Sequence, residues 1–149
     1  MRWGAYMKIV VFVDDTKHSF DAVKIAAQIA KETGAVVTIL GIAPRYRDSE
    51  LVKSYEKRIK DETSDLLEQA EKFMSEKGIH PKVEILEDIS LLNALDEIIF
   101  FIKEGGFDLV IIGSSGLTGL KKFFYRGIGR DMGTELMDNV PCSVLMVRS

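Results

Sequence analysis

A chain of 149 residues, 46% of them hydrophobic, has the length for one domain spanning residues 1–149 and enough apolar side chains for a full core. Its formal net charge of −3 excludes broad nucleic-acid binding, which wants a clearly basic face, so any cationic site must be local. A single cysteine, Cys142, rules out an internal disulfide and fits a reducing cytoplasm. No apolar run approaches the ~20 residues of a membrane helix, and the start of the chain has no secretory h-region.

Met1 to Tyr6 reads as a loose extension carrying Trp3, with Met7 as an alternative start. Lys8-Ile-Val-Val-Phe-Val13 is a continuous run of β-branched and aromatic residues, which suits a central parallel strand covered on both faces. Ser19 is placed to cap a helix in which Ala22, Ala26, Ile29 and Ala30 recur at helical spacing until Gly34 stops it. A second strand is expected over Val36 to Ile42, with Pro44 opening a loop. From Asp48 to Lys77, Leu51, Tyr55, Ile59, Leu66, Ala70 and Phe73 mark the apolar face of a long amphipathic helix closed by Gly78. Its charged side reads as a solvated face. Lys82 to Leu86 makes a third strand. Leu91, Leu92, Leu95, Ile98, Ile99 and Ile102 line a third helix ended by Gly105-Gly106, and Phe107 to Ile112 forms a fourth strand. A fourth helix, starting between Gly127 and Asp131, turns Met132, Leu136 and Val140 inward and leads to a last strand at Ser143 to Val147.

Strands alternating with helices predict an α/β, Rossmann-like fold, an open five-stranded parallel sheet with helices on both faces; in the expected order 3-2-1-4-5 the first and fourth strands are neighbours. In such sheets ligands sit at the carboxyl ends of the strands, where the strand order reverses. Two features share that edge. One is Asp14-Asp15 after the first strand. The other is the glycine-rich, basic loop that runs from Gly113-Ser-Ser115-Gly116 to Gly127-Ile-Gly129-Arg130. A strand ending in glycines and followed by a helix lets backbone N–H groups close on an anion, so this loop points to a phosphate-bearing small ligand; the plain alternative is a structural connection. Lys121, Lys122, Arg126 and Arg130 are candidates to pair with phosphate oxygens, against a reading as surface charge. Phe123-Phe124-Tyr125 read as packing the loop onto the body or a partner.

Asp14 is favoured as a ligand contact, holding Mg²⁺ through water or accepting hydrogen bonds from a base or ribose, while Asp15 reads as a turn residue. His18 and His80 stand beside no recognisable nucleophile, no Cys/His cluster supports zinc, and Gly113-Ser-Ser-Gly116 lacks the Lys-Ser/Thr ending of a P-loop. Cys142, among strand-forming neighbours, reads as a small core residue. No catalytic residue is expected.

These motifs together resemble the universal stress protein family, from Met7 onward. The family opens with an apolar strand into Asp-Gly-Ser-x-x-Ser, which Asp14-Asp15-Thr16-Lys17-His18-Ser19 resembles with Asp15 in place of glycine. Gly113-Ser114-Ser115-Gly116 matches its Gly-Ser/Thr-x-Gly, and Pro141-Cys142-Ser143-Val144-Leu145-Met146-Val147 matches its closing Pro-Cys-x-Val-Leu-x-Val. In the ATP-binding branch a Gly-Ser/Thr pair follows nine residues after the second glycine. Here that position is Arg126, and Gly127 is followed by Ile128, so the spacing is off by one and the hydroxyl is missing. Alignment back from Pro141 instead puts Arg130-Asp131 at that pair. The family's Gly-x-Pro stretch after the third strand is replaced by Glu87-Asp88-Ile89-Ser90, which adds negative charge at the same edge.

The resemblance implies that Asp14 and Ile42 lie against adenine and ribose, that Ile112, Gly113, Ser115 and Gly116 meet ribose and phosphates, and that Gly127, Gly129 and Arg130 hold the terminal phosphates. The expected function is an ATP-binding stress-response or regulatory protein, with Mg²⁺ and with slow or no hydrolysis. The alternative is a family member without nucleotide that acts through an unknown protein partner. A phospho-acceptor receiver domain is a more distant reading, since Asp88 fits an acceptor position but the chain has no Lys after its last strand. An adenine-nucleotide hydrolase is disfavoured because Asp14-Asp15-Thr16 would repel a pyrophosphate. The uncharged strand Ser143 to Val147 lies at a sheet edge and invites pairing with a second copy, and the resemblance implies the same homodimer.

Overall fold

The computed structural model describes residues 7–14, 16–45, 50–90, 94–113 and 132–148. Expectations that fall on 1–6, on Asp15, on Asp48, on Leu91 and Leu92, or on 114–131 lie outside them. Strand β1 (Lys8–Phe12) takes the middle of the sheet because its apolar run can be buried on both faces. Ile9, Val10 and Val11 have no exposed surface. Side chains alternate across the strand, so Ile9, Val11 and Val13 enter one core and Val10 and Phe12 the other.

Helix α1 (Lys17–Thr33) follows, then β2 (Val36–Arg45), α2 (Glu50–Glu76), β3 (Lys82–Ser90), α3 (Ala94–Gly105), β4 (Leu109–Gly113), α4 (Met132–Asn139) and β5 (Ser143–Val147). All strand pairs are parallel and the order is β3-β2-β1-β4-β5, as the sequence predicts. Helices α1 and α2 cover one face with Ala22, Ala26, Ala30, Leu67, Ala70 and Met74. On the other face, α3 and α4 contribute Ile98, Ile102 and Leu136. The alanines of α1 let its axis approach the sheet closely. Phe20 of α1 meets Phe73 of α2 edge to face, with centroids 5.5 Å apart.

Several boundaries differ from expectation: β1 ends at Phe12 rather than Val13, β4 runs from Leu109 to Gly113 rather than from Phe107 to Ile112, and three further shifts bear on the site. Helix α1 begins two residues before Ser19, with Thr16 as its N-cap, and Gly34 ends it at φ 73°. Pro44 does not open a loop: β2 runs to Arg45, pairing Pro44 with Ile89 and Arg45 with Ser90 after an irregularity at Ala43. Glu87-Asp88-Ile89-Ser90 is accordingly strand. Because β1 stops opposite Leu40, the β2–β3 pair continues past it by the five residues Gly41 to Arg45, about 16 Å of ribbon at the carboxyl edge. Gly41 lets α2 sit tight against this ribbon, since a Cβ there would lie 2.6 Å from the Thr63 methyl and 3.0 Å from Leu67 Cδ1.

At the opposite edge, the Lys8 amide donates to Asp108 Oδ2 (2.9 Å) and the Asp108 amide to the Lys8 carbonyl (2.8 Å). The Lys8 ammonium donates to the Gly105 carbonyl and lies 5.2 Å from the Phe107 ring centroid. This clamp holds the end of α3 to the start of β1. Burial, and then the charge of Asp108, push the Cys142 thiol above its ordinary value, so the half-buried cysteine stays protonated at neutral pH. Among the described residues no helix is long and apolar enough to cross a membrane.

Candidate functional site

Asp14 stands where β1 gives way to α1. The Val13 amide still donates to the Leu40 carbonyl (2.9 Å), so the chain turns only after it. Among the described residues, three side chains build the turn. Thr16 donates to Asp14 Oδ1 from both its amide (2.8 Å) and its hydroxyl (2.6 Å). The Thr16 hydroxyl accepts from the Ser19 amide (3.1 Å). Ser19 in turn accepts from the Asp14 amide (2.8 Å) and donates to the Phe12 carbonyl (3.2 Å).

The result is a closed ring of hydrogen bonds joining strand tip and helix start. Each hydroxyl acts once as donor and once as acceptor within it. Ser19 is 1% exposed, so its polar atom is buried and partnered rather than used as a cap. Asp14, half-buried, lies just before the α1 N-cap, where helix amides favour a negative charge.

Gly113 ends β4 and is buried. A Cβ at that position would lie 2.5 Å from the carbonyl carbon and oxygen of His18 and 2.7 Å from the Ser19 amide nitrogen. Glycine is therefore required because the first turn of α1 presses on the end of β4. That contact sets the Asp14 turn directly beside Gly113 at the end of β4, and β1 and β4 are sheet neighbours through Val11 and Ile111. Of the two features singled out in the sequence, Asp14 and Gly113 share one edge, and the rest of the glycine-rich segment lies outside the described residues.

Ile42 and Ile112, at 8% and 2% exposure, pack with Phe12 and Leu40 in the core on the α3–α4 side. They form an apolar base under the carboxyl edge. Ser115, Gly116, Gly127, Gly129 and Arg130, with Lys121, Lys122 and Arg126, lie outside the described residues. His18 contributes its backbone to the Gly113 contact. Among the described residues no three His, Cys, Asp or Glu side chains gather into a metal cluster.

Sequence reasoning missed Thr16 altogether and gave Ser19 the wrong task. The signal was present in the spacing Asp14-x-Thr16-x-x-Ser19: a hydroxyl two residues after an aspartate, and a residue three past a Thr cap whose amide that cap accepts.

A parallel sheet of this order, with its polar turn and its glycine at the point where strand order reverses, defines the Rossmann-like class of α/β folds. Within that class the chain belongs to the universal stress protein family, whose model matches residues 5–148. It is 28% identical to Universal stress protein MJ0531 of Methanocaldococcus jannaschii over 151 aligned positions, covering 96% of this chain and 82% of that one. Its fold is similar to that of a universal stress protein family member from Burkholderia pseudomallei, with a TM-score of 0.77 at 15% identity over 99% of this chain and 100% of the other. It is also similar to the universal stress protein of Archaeoglobus fulgidus in complex with dAMP (TM-score 0.66, 18% identity, 96% and 98% covered). A further neighbour is a universal stress protein in complex with cAMP (TM-score 0.67, 21% identity, 97% and 98% covered).

Proposed function

We propose that this protein is a cytoplasmic adenine-nucleotide-binding regulator of the stress response, binding ATP with Mg²⁺, with little or no hydrolysis, as a homodimer. The observation that carries the reading is the Asp14 turn held against Gly113 by the first turn of α1. Solved relatives of the same fold hold dAMP and cAMP, which supports an adenine nucleotide as the ligand class.

In this reading Asp14 and Ile42 meet adenine and ribose, and Ile112 and Gly113 lie under the ribose. Ser115 and Gly116 turn amides to the phosphates, and Gly127, Gly129 and Arg130 hold the distal ones. Asp14, with no cluster of metal-ligating side chains among the described residues, suits a cation brought on the phosphates and met through water rather than one caged by protein. Mg²⁺ would supply neutralisation of phosphate charge there. The homodimer forms through β5, where Leu145 and Met146 are 36% and 39% exposed on an edge strand.

Native mass spectrometry of the protein as purified, followed by calorimetric titration with ATP, AMP and adenosine, tests the reading. Carried-over nucleotide, or binding that Gly116→Val abolishes, is the expected result. No heat and no thermal shift at millimolar ligand would leave the alternative, action through protein contacts.

A further inference from the structure

We propose that Thr16 is a positioning residue for ligand recognition: it holds the Asp14 carboxylate in the single orientation in which it meets the nucleotide. The inference rests on the nucleotide reading above. Its physical basis is the pair of donors, amide and hydroxyl, that Thr16 brings to the same Asp14 oxygen, at 2.8 and 2.6 Å.

An aspartate at the end of a strand can turn about χ1 and χ2, and a ligand that needs one orientation must overcome that freedom on binding. Here the orientation is set before any ligand arrives. Two donors converge on Oδ1, one of them a hydroxyl whose own direction is fixed because it accepts from the Ser19 amide (3.1 Å). Ser19 completes the arrangement by accepting from the Asp14 amide and bonding to the Phe12 carbonyl, which fixes the backbone that carries the carboxylate. The Ser19 hydroxyl is buried, so water does not compete for these bonds. A charge-assisted hydrogen bond of this kind is stronger than a neutral one, and Thr16 supplies one from its side chain.

Thr16 is also the α1 cap, so a loss of stability alone would not distinguish positioning from capping. The test is therefore AMP affinity by calorimetry on the full chain, read beside the melting temperature. The unmodified protein is compared with Thr16→Ser, Thr16→Val, Thr16→Gly, Asp14→Asn and the double variant Asp14→Asn/Thr16→Val. Thr16→Gly retains most of the cap energy while removing the hydroxyl, so it covers the case in which Thr16→Val folds poorly.

We expect Thr16→Ser to bind as the unmodified protein does, and Thr16→Val and Thr16→Gly to bind about five- to tenfold more weakly, the worth of one hydrogen bond. In the Asp14→Asn background, Thr16→Val should change affinity less than twofold, because the two residues act as one unit. If the unmodified protein binds AMP and Thr16→Val or Thr16→Gly binds it equally well, the inference falls and the nucleotide reading stands. Independent, additive losses from Asp14 and Thr16 would overturn it as well. If the unmodified protein binds no adenine nucleotide, the nucleotide reading fails and takes the inference with it.

Discussion

At one flank of the sheet, edge strand β3 carries Lys82, Glu84 and Glu87 at exposed positions and lies with β2 beside a helix of 27 residues. At the other flank, β5 has no charged residue from Ser143 to Val147, and the helix before it has 8 residues among those described. Charges on an edge strand discourage pairing with another chain, and their absence leaves the backbone row open to a partner. The flanks also differ in how their glycines are used. Gly41 makes room for the side chains Thr63 and Leu67, whereas Gly113 makes room for the backbone of His18 and Ser19. One flank is thus closed by a helix that can adjust its side chains, and the other is built around a contact that cannot give.

The largest expected difference lies between those two glycines. Gly113→Ala should destabilise the protein by about 3 kcal/mol, near the upper end for an overpacked site, because the new Cβ meets main chain. Gly41→Ala should lose about 1 kcal/mol, since a methyl and a leucine can shift. Urea unfolding midpoints of the two variants read the contrast directly, and equal losses would erase it.

The edges provide the next test. Leu145→Lys should weaken the proposed homodimer at least a hundredfold, about 2.7 kcal/mol, while Glu84→Lys at the far edge should leave it intact. Sedimentation at tens of micromolar decides; an unmodified protein that is monomeric there would remove the functional difference between the edges.

A smaller effect is expected at the ion pair joining α2 to β3, where Lys60 Nζ lies 3.1 Å from Glu87 Oε1 with both side chains about half exposed. Lys60→Ala should cost at most about 0.5 kcal/mol, and that difference should vanish in 1 M salt. A larger, salt-independent loss would mean that the lysine stem packs rather than pairs.

The smallest effect concerns Cys142 on the β5 flank. Its folded thiol is raised above the unfolded one, so its contribution to stability is whole below the unfolded value and fades as pH rises through the folded value. Unfolding experiments should show the decline only in the alkaline range, and alkylation at pH 8 should be slower for the folded than for the unfolded chain. Equal alkylation rates would contradict the burial that raises the thiol.

Much of the fold was legible. The unbroken run at Ile9 to Phe12, the helically spaced Ala positions of α1, the stop at Gly34 and the last strand are all local patterns, and the handedness of crossovers implied helices on both faces of the sheet. The continuation of β2 was not legible. Proline lacks a donor and usually ends a strand, but β2 outruns β1, so its Pro44 needs a sheet partner on one side only. The Glu87 to Ser90 segment, placed by the sequence after the third strand, is strand because that same partner holds it.

At the candidate site the sequence by itself determined which residue types stand at the strand tips: an aspartate and two hydroxyls after β1, and a glycine at the end of β4. Their spacing is local, and local spacing is what periodicity reports. Only the tertiary structure decided what each does. Ser19 became a buried tie where α1 is pressed against β4, and Gly113 is demanded by a backbone distant from it in the chain. No pattern near residue 113 records that contact, because close approach is a property of two segments meeting, not of either one.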